Sequence, residues 1–118
     1  MTSHVPVFLT GSRAYGDPQP DADYDLVMKM TEEHARQLAE QFPQAVQTRH
    51  LEGAESIVFR FGPLNLIVVW SDDHVKAWRK ATADCFARSL ELGRGLTRDE
   101  AIEIHKAARK SLGFREGY

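Results

Sequence analysis

The stretch "LTGSRAYGDPQPDADYDLVM" (Leu9–Met28) places a glycine turn and a polar loop between two apolar runs. The second run opens with Asp23 and Asp25, which are separated by a single residue. Side chains two positions apart on a strand point to the same face, so the two carboxylates are expected side by side. Adjacent carboxylates repel each other, and a hard divalent cation between them removes that cost. The spacing therefore predicts that Asp23 and Asp25 ligate Mg²⁺ or Mn²⁺.

The turn that precedes this loop contains residue types that bind phosphate groups. Gly11 permits a tight strand-to-helix turn with exposed backbone N–H groups, and Ser12 adds a hydroxyl. Together they are candidates for holding the phosphates that the cation bridges. Arg13 is either a further phosphate contact or a solvated loop residue, and the sequence favours neither. Asp21 follows Pro20, where an aspartate is ordinary turn chemistry, so we expect no metal role for it.

The whole chain, including the quoted stretch, indicates five strands and three helices in the order β β α β β β α α. The strands are expected at Val5–Gly11, Asp23–Met30, Ala45–Leu51, Ser56–Phe61 and Leu64–Trp70. The third and fourth form a predicted hairpin through Gly53, and the nearly unbroken apolarity of the fifth predicts a central strand covered on both faces. The helices are expected to begin at Thr31, Ser71 and Thr97, and the last of these opens a capping box with Glu100.

Composition limits the classes of protein to which the chain can belong. A length of 118 residues with 42% hydrophobic content predicts one domain, 1–118, with strands and the first helix in 5–70 and two helices in 71–113. The net charge of −2 and pI near 6.2 exclude the basic footprint of non-specific nucleic-acid binders. The single cysteine excludes an internal disulfide, and the N-terminal residues lack an export signal, so we expect a cytoplasmic protein. No apolar run approaches the ~20 residues of a membrane span.

The segments "GSRAYG" and "DADYDL" resemble the Gly-Ser, spacer, Asp-x-Asp signature of the DNA polymerase β-like nucleotidyltransferase superfamily, especially its small stand-alone members of prokaryotes and phages. The resemblance implies an α/β (α+β) nucleotidyltransferase fold, with a mixed sheet of about five strands flanked by three main helices. It implies that Gly11, Ser12 and Arg13 bind a nucleoside triphosphate and that Asp23 and Asp25 are the catalytic metal ligands. The implied activity is Mg²⁺-dependent nucleotidyl transfer to a hydroxyl group of a protein or nucleic-acid acceptor.

The chain departs from this signature at the third carboxylate, which the family usually places on a later central strand. The corresponding segment is "PLNLIVV", with Asn65 at that position. An amide carries no charge and cannot take a proton near neutral pH, so a general base is missing there. Asp72 and Asp73 are better explained as helix N-terminal charges, and Glu55 as a solvated strand end. The alternative function is therefore a catalytically degenerate protein that binds a nucleotide or a protein partner, antitoxin-like or regulatory, without turnover.

Weaker signals are assigned structural roles. The five histidines show no zinc-site spacing, and His105 on an apolar helix face is expected to be a satisfied, partly buried residue. Cys85 is expected to be an inert buried thiol. Trp78 and Phe86, on the same helical stripe as Cys85, are expected in the core.

Overall fold

A computed structural model describes residues 7–18, 20, 22–49 and 56–113, with only the backbone of residues 48 and 49. The strands are β1 (Val7–Thr10), β2 (Tyr24–Lys29), β3 (Val46–Arg49), β4 (Ser56–Phe61) and β5 (Leu64–Val69). The helices are α1 (Ser12–Tyr15), α2 (Glu32–Gln41), α3 (Asp72–Leu92) and α4 (Arg98–Ser111). A 3₁₀ turn at Pro43–Ala45 precedes β3.

The five strands form one mixed sheet in the order β1-β2-β5-β4-β3. Strands β2 and β5 are parallel, and the other neighbouring pairs are antiparallel. Together with three longer helices, this sheet confirms the predicted α+β class. Strand β5 occupies the centre of the sheet, as its apolar sequence predicts. The predicted Gly53 turn, and Leu51 at the end of the predicted third strand, lie outside the described residues.

Helices cover both faces of the sheet because the strands alternate apolar side chains between the two sides. On one face, Ala35 of α2 packs with Phe59, Leu66 and Val68 of the sheet. On the other face, Val75 of α3 belongs to a second buried cluster. The sheet residues of that second cluster include Phe8, Val27, Ile67 and Val69. Alternation therefore places Asp25, two residues before Val27, on the face that α3 covers.

The predicted helix caps are present. The hydroxyls of Thr31 and Ser71 accept hydrogen bonds from the backbone N–H groups of His34 and His74 at the starts of α2 and α3. Thr97 and Glu100 form both hydrogen bonds of the capping box that starts α4. Each cap satisfies donors that the first helical turn leaves without a partner.

Two features differ from the sequence predictions. The predicted order of elements omits α1, the four-residue helix into which the strand-to-helix turn at Gly11 leads. The prediction that Phe86 lies in the core is wrong, because its side chain is 49% exposed. Helix α3 has 21 residues, and its apolar stripe continues beyond the part that packs on the sheet. Among the described residues, no helix is both long and apolar enough to cross a membrane.

The connection between α3 and α4 lies directly on the backbone that follows α1. A Cβ at Gly95 would lie 2.4 Å from the carbonyl carbon of Gly16 and 2.5 Å from the nitrogen of Asp17, so only glycine fits. The N–H of Leu96 donates to the carbonyl of Tyr15 at 3.0 Å. The two C-terminal helices therefore fix the position of α1, and with it the glycine turn.

Candidate functional site

The candidate site is a row of residues that crosses four strands. Asp25 of β2 pairs with Thr10 of β1 on one side and with Asn65 of β5 on the other. Asn65 in turn pairs with Arg60 of β4. Cross-strand partners share a face of the sheet, so the backbone register brings these side chains together.

The two aspartates contact the same amide group. Nδ2 of Asn65 donates to Oδ1 of Asp25 at 2.9 Å and lies 3.5 Å from Oδ2 of Asp23. Burial raises the pKa of the Asp25 carboxyl above its usual value; the hydrogen bond from Asn65 opposes this rise, and the charge of Asp23 adds to it. The structure thus brings both predicted carboxylates to the amide nitrogen of Asn65.

The glycine turn lies against the carboxylate of Asp25. Gly11 has φ of +75°, and a Cβ on it would lie only 2.1 Å from Oδ2 of Asp25. Both the conformation and the space therefore require glycine. The carbonyl of Gly11 accepts hydrogen bonds from the N–H groups of Ala14 and Tyr15, and Ser12 is the first residue of α1. The structure thus brings Gly11, and with it the start of α1 at Ser12, to the carboxylate of Asp25.

Arg13 is engaged elsewhere. Its Nε and Nη2 donate to the carbonyl of Ala22 at 3.2 and 2.8 Å, and Nη2 also donates to the carbonyl of Pro20 at 3.1 Å. The guanidinium carbon lies 4.1 Å from the centre of the Tyr24 ring. These contacts tie α1 to the loop before β2, so phosphate binding by Arg13 stays a prediction that would require them to break.

Arg60 is a site residue that the sequence predictions missed. Its Nη1 and Nη2 donate to the two carboxylate oxygens of Asp23 at 2.7 and 2.8 Å. The signal was available in the turn between β4 and β5: a two-residue Gly62–Pro63 connection places Phe61 opposite Leu64 and therefore Arg60 opposite Asn65. The guanidinium compensates the charge of Asp23 in the structure.

The other carboxylates considered from the sequence do not join this site. Asp72 and Asp73 lie in the first turn of α3, and Asp72 pairs with Lys29 at the opposite end of β2 from Asp25. Asp21 and Glu55 lie outside the described residues. Within the described part of the chain, no three His, Cys, Asp or Glu side chains form a group that could hold a metal ion.

The donor types at the site nevertheless fit a hard divalent cation. Asp23 and Asp25 supply carboxylate oxygens, which Mg²⁺ and Mn²⁺ prefer. The absence of a Cβ on Gly11 leaves the space that the Asp25 carboxylate occupies. Arg60 engages both oxygens of Asp23, so a cation can bind Asp23 only if Arg60 moves away from it.

A second polar cluster connects α1 to α4. His105 is 3% exposed, and its Nε2 lies 3.2 Å from the hydroxyl of Tyr15. Burial, with a contribution from the charge of Arg109, lowers the pKa of His105 to about 4, so the ring is neutral at pH 7. Cys85 is buried, and burial raises the pKa of its thiol to about 11, which suits the inert role predicted for it.

A comparison of the chain with models of known protein families and with curated proteins returned no match. The resemblance to nucleotidyltransferases thus depends on the residues of Leu9–Met28.

Proposed function

We propose that this protein binds a nucleoside triphosphate together with Mg²⁺ or Mn²⁺ and transfers its nucleotidyl group to a hydroxyl acceptor, with cleavage of the bond between the α- and β-phosphates and release of pyrophosphate. One observation carries the proposal: the carboxylates of Asp23 and Asp25 lie side by side, next to a turn where the carboxylate of Asp25 occupies the Cβ space of Gly11. This arrangement supports the pattern that the sequence predicts, in which a phosphate-binding turn and a carboxylate pair serve one ligand.

Each residue has a role that follows from its chemistry. Asp23 and Asp25 would hold the cation, and the backbone and hydroxyl of Ser12, which follows Gly11 directly, would contact the phosphates. The missing Cβ of Gly11 makes room for the Asp25 carboxylate, and this brings the turn next to the cation. A bound divalent cation would neutralise charge that develops on the phosphate groups. The protein would supply position and orientation, which account for a large part of the rate enhancement in such transfers.

A second candidate function is nucleotide or protein binding without turnover, and Asn65 favours it. The side chain of Asn65 donates to Asp25, whereas a general base would have to accept a proton at this position. Arg60 also favours binding without turnover, because it already neutralises Asp23. In this candidate, the carboxylate pair and the turn form a binding site only.

Two measurements test these functions. Titration calorimetry with Mn²⁺ and a nucleoside triphosphate should show binding that Asp23→Asn and Asp25→Asn each abolish. Asp84→Asn is the matched control, since Asp84 pairs with Lys80 on the surface of α3. Binding that survives in both site variants would refute the proposed site.

Incubation with labelled nucleoside triphosphates and Mg²⁺, followed by mass analysis of protein and nucleic-acid acceptors, then separates the two candidates. A nucleotidyl adduct that depends on Asp25 supports transfer. Binding without any adduct supports the binding-only candidate.

A further inference from the structure

Arg60 and a divalent cation compete for the same two oxygens. The guanidinium of Arg60 engages both carboxylate oxygens of Asp23 in a bidentate fork, the strongest geometry that this pair can adopt. A cation on Asp23 would face a guanidinium at contact distance, and the two positive charges would repel each other. Occupation of Asp23 by a cation therefore requires Arg60 to change its partner.

The structure allows this exchange without disturbing the core. The side chains of Arg60 and Asp23 are 40% and 34% exposed, so the pair lies at the boundary with solvent. Solvent at this boundary screens both charges and can hydrate them when they separate. Arg60 also lies on a strand whose neighbouring residue Phe59 is fully buried, so the backbone stays anchored while the long side chain moves.

We propose that Arg60 exchanges Asp23 for phosphate: it neutralises Asp23 in the cation-free protein and contacts the phosphates of the triphosphate once a cation is on Asp23. The inference rests on the proposed function and names the residue that couples its two ligands. A guanidinium matches a phosphate as well as a carboxylate, because both present two oxygens to its fork. Arg13, which the sequence suggested for phosphate binding, is instead held by backbone carbonyls and the Tyr24 ring.

The exchange predicts effects of opposite sign when Arg60 is replaced by glutamine. Mn²⁺ alone should bind Arg60→Gln about two- to fivefold more tightly than wild type, because the competing guanidinium is gone. Inorganic triphosphate, added at saturating Mn²⁺, should bind the variant at least about fivefold more weakly, because a charge-assisted contact is lost. Electron paramagnetic resonance of free Mn²⁺ and titration calorimetry measure the two affinities on the full chain.

Two further variants control the experiment. Arg36→Gln removes the same charge from an ion pair with Glu32 on α2, and both affinities should stay at wild-type values. Arg60→Lys keeps the charge without the fork and should restore part of the triphosphate affinity that Arg60→Gln loses. Circular dichroism and thermal unfolding establish that each variant is folded.

The outcomes separate this inference from the function on which it rests. Suppose that wild type binds Mn²⁺ and triphosphate. If Arg60→Gln then leaves both affinities unchanged, as Arg36→Gln should, or changes both in the same direction, the exchange is wrong and the proposed function stands. If wild type binds neither ligand, the proposed function fails and the exchange fails with it.

Discussion

Replacement of Asn65 by aspartate tests the arrangement of charge at the site. Asn65 donates to Asp25 at 2.9 Å and lies 3.5 Å from Asp23, so Asn65→Asp replaces a donor by a third anion. Loss of a hydrogen bond to a charged group costs about 1.5–3 kcal/mol. Two unit charges about 4 Å apart repel by about 4 kcal/mol at an effective dielectric constant of 20. Both the lost hydrogen bond and the repulsion destabilise the folded variant, but proton uptake by one carboxyl removes part of the repulsion. We therefore expect the free energy of unfolding to fall by about 3–5 kcal/mol at pH 8.

The pH dependence of this loss has a defined sign. Repulsion raises the pKa of the crowded carboxyls in the folded state, so the folded protein binds more protons than the unfolded chain between the two pKa values. Stability of Asn65→Asp should therefore fall as the pH rises from 5 to 8. Asn65→Ala loses the donor without adding charge and should cost about 1.5–3 kcal/mol. Its pH dependence should have the same sign but be smaller, because it loses only the hydrogen bond that favours the ionised Asp25.

Urea denaturation followed by circular dichroism at pH 5 and pH 8, with and without Mn²⁺, measures both effects. Asn65→Asp should be the least stable protein without metal and gain the most from Mn²⁺, since tighter binding to the folded state stabilises by mass action. Equal stability of Asn65→Asp and Asn65→Ala at pH 8 would show that the Asn65 side chain does not face the carboxylates. A variant that is less stable but gains no more from Mn²⁺ than wild type would place Asn65 away from the cation.

Two further predictions follow from backbone space and burial. Gly11→Ala should lower the free energy of unfolding, measured by urea denaturation, by more than Gly62→Ala. Gly11 lies at φ +75° and ψ −161°, a region that is essentially restricted to glycine, and its Cβ would clash with Asp25, whereas a Cβ on Gly62 meets nothing within 4 Å. Equal losses would contradict the close approach of Gly11 to Asp25. The pKa of His105 is about 4 in the folded protein, against an ordinary value of 6.5, so the unfolded chain binds more protons between these values and stability should fall by up to about 3 kcal/mol as the pH drops from 6.5 to 4. His105→Gln should therefore flatten the dependence of stability on pH between 4 and 6.5. The control variant His34→Gln, at an exposed position, should not flatten it. An unchanged pH dependence in His105→Gln would show that His105 does not titrate in this way.

Local patterns were enough to predict most of the fold. Thr31 and Thr97 cap helices because their side chains accept hydrogen bonds from backbone N–H groups only a few residues away. Such a pattern can be recognised within a short segment of sequence. The central place of β5 follows from the apolar residues on both of its faces. The Asp23 and Asp25 pair also follows from strand alternation alone.

Features that depend on contacts between distant segments were missed. The short Gly62–Pro63 turn indicates that Arg60 lies opposite Asn65, but Arg60 meets Asp23 only because β4 and β2 both flank β5, and no single strand shows that order. Arg13 donates to carbonyls of a loop whose path the sequence does not specify. Phe86 follows the apolar stripe of α3, but the stripe is longer than the surface available to cover it.

The contact of Gly95 with the backbone after α1 has a consequence for synthesis of the chain. The N–H of Gly95 donates to Asp17, and the two residues are 78 positions apart. A growing chain on the ribosome contains the glycine turn and both aspartates long before it contains Gly95. Non-local contacts of this kind form late because a large loop must close first. The glycine turn would thus acquire its final position among the last steps of folding, so that a nascent chain would not present a finished candidate site.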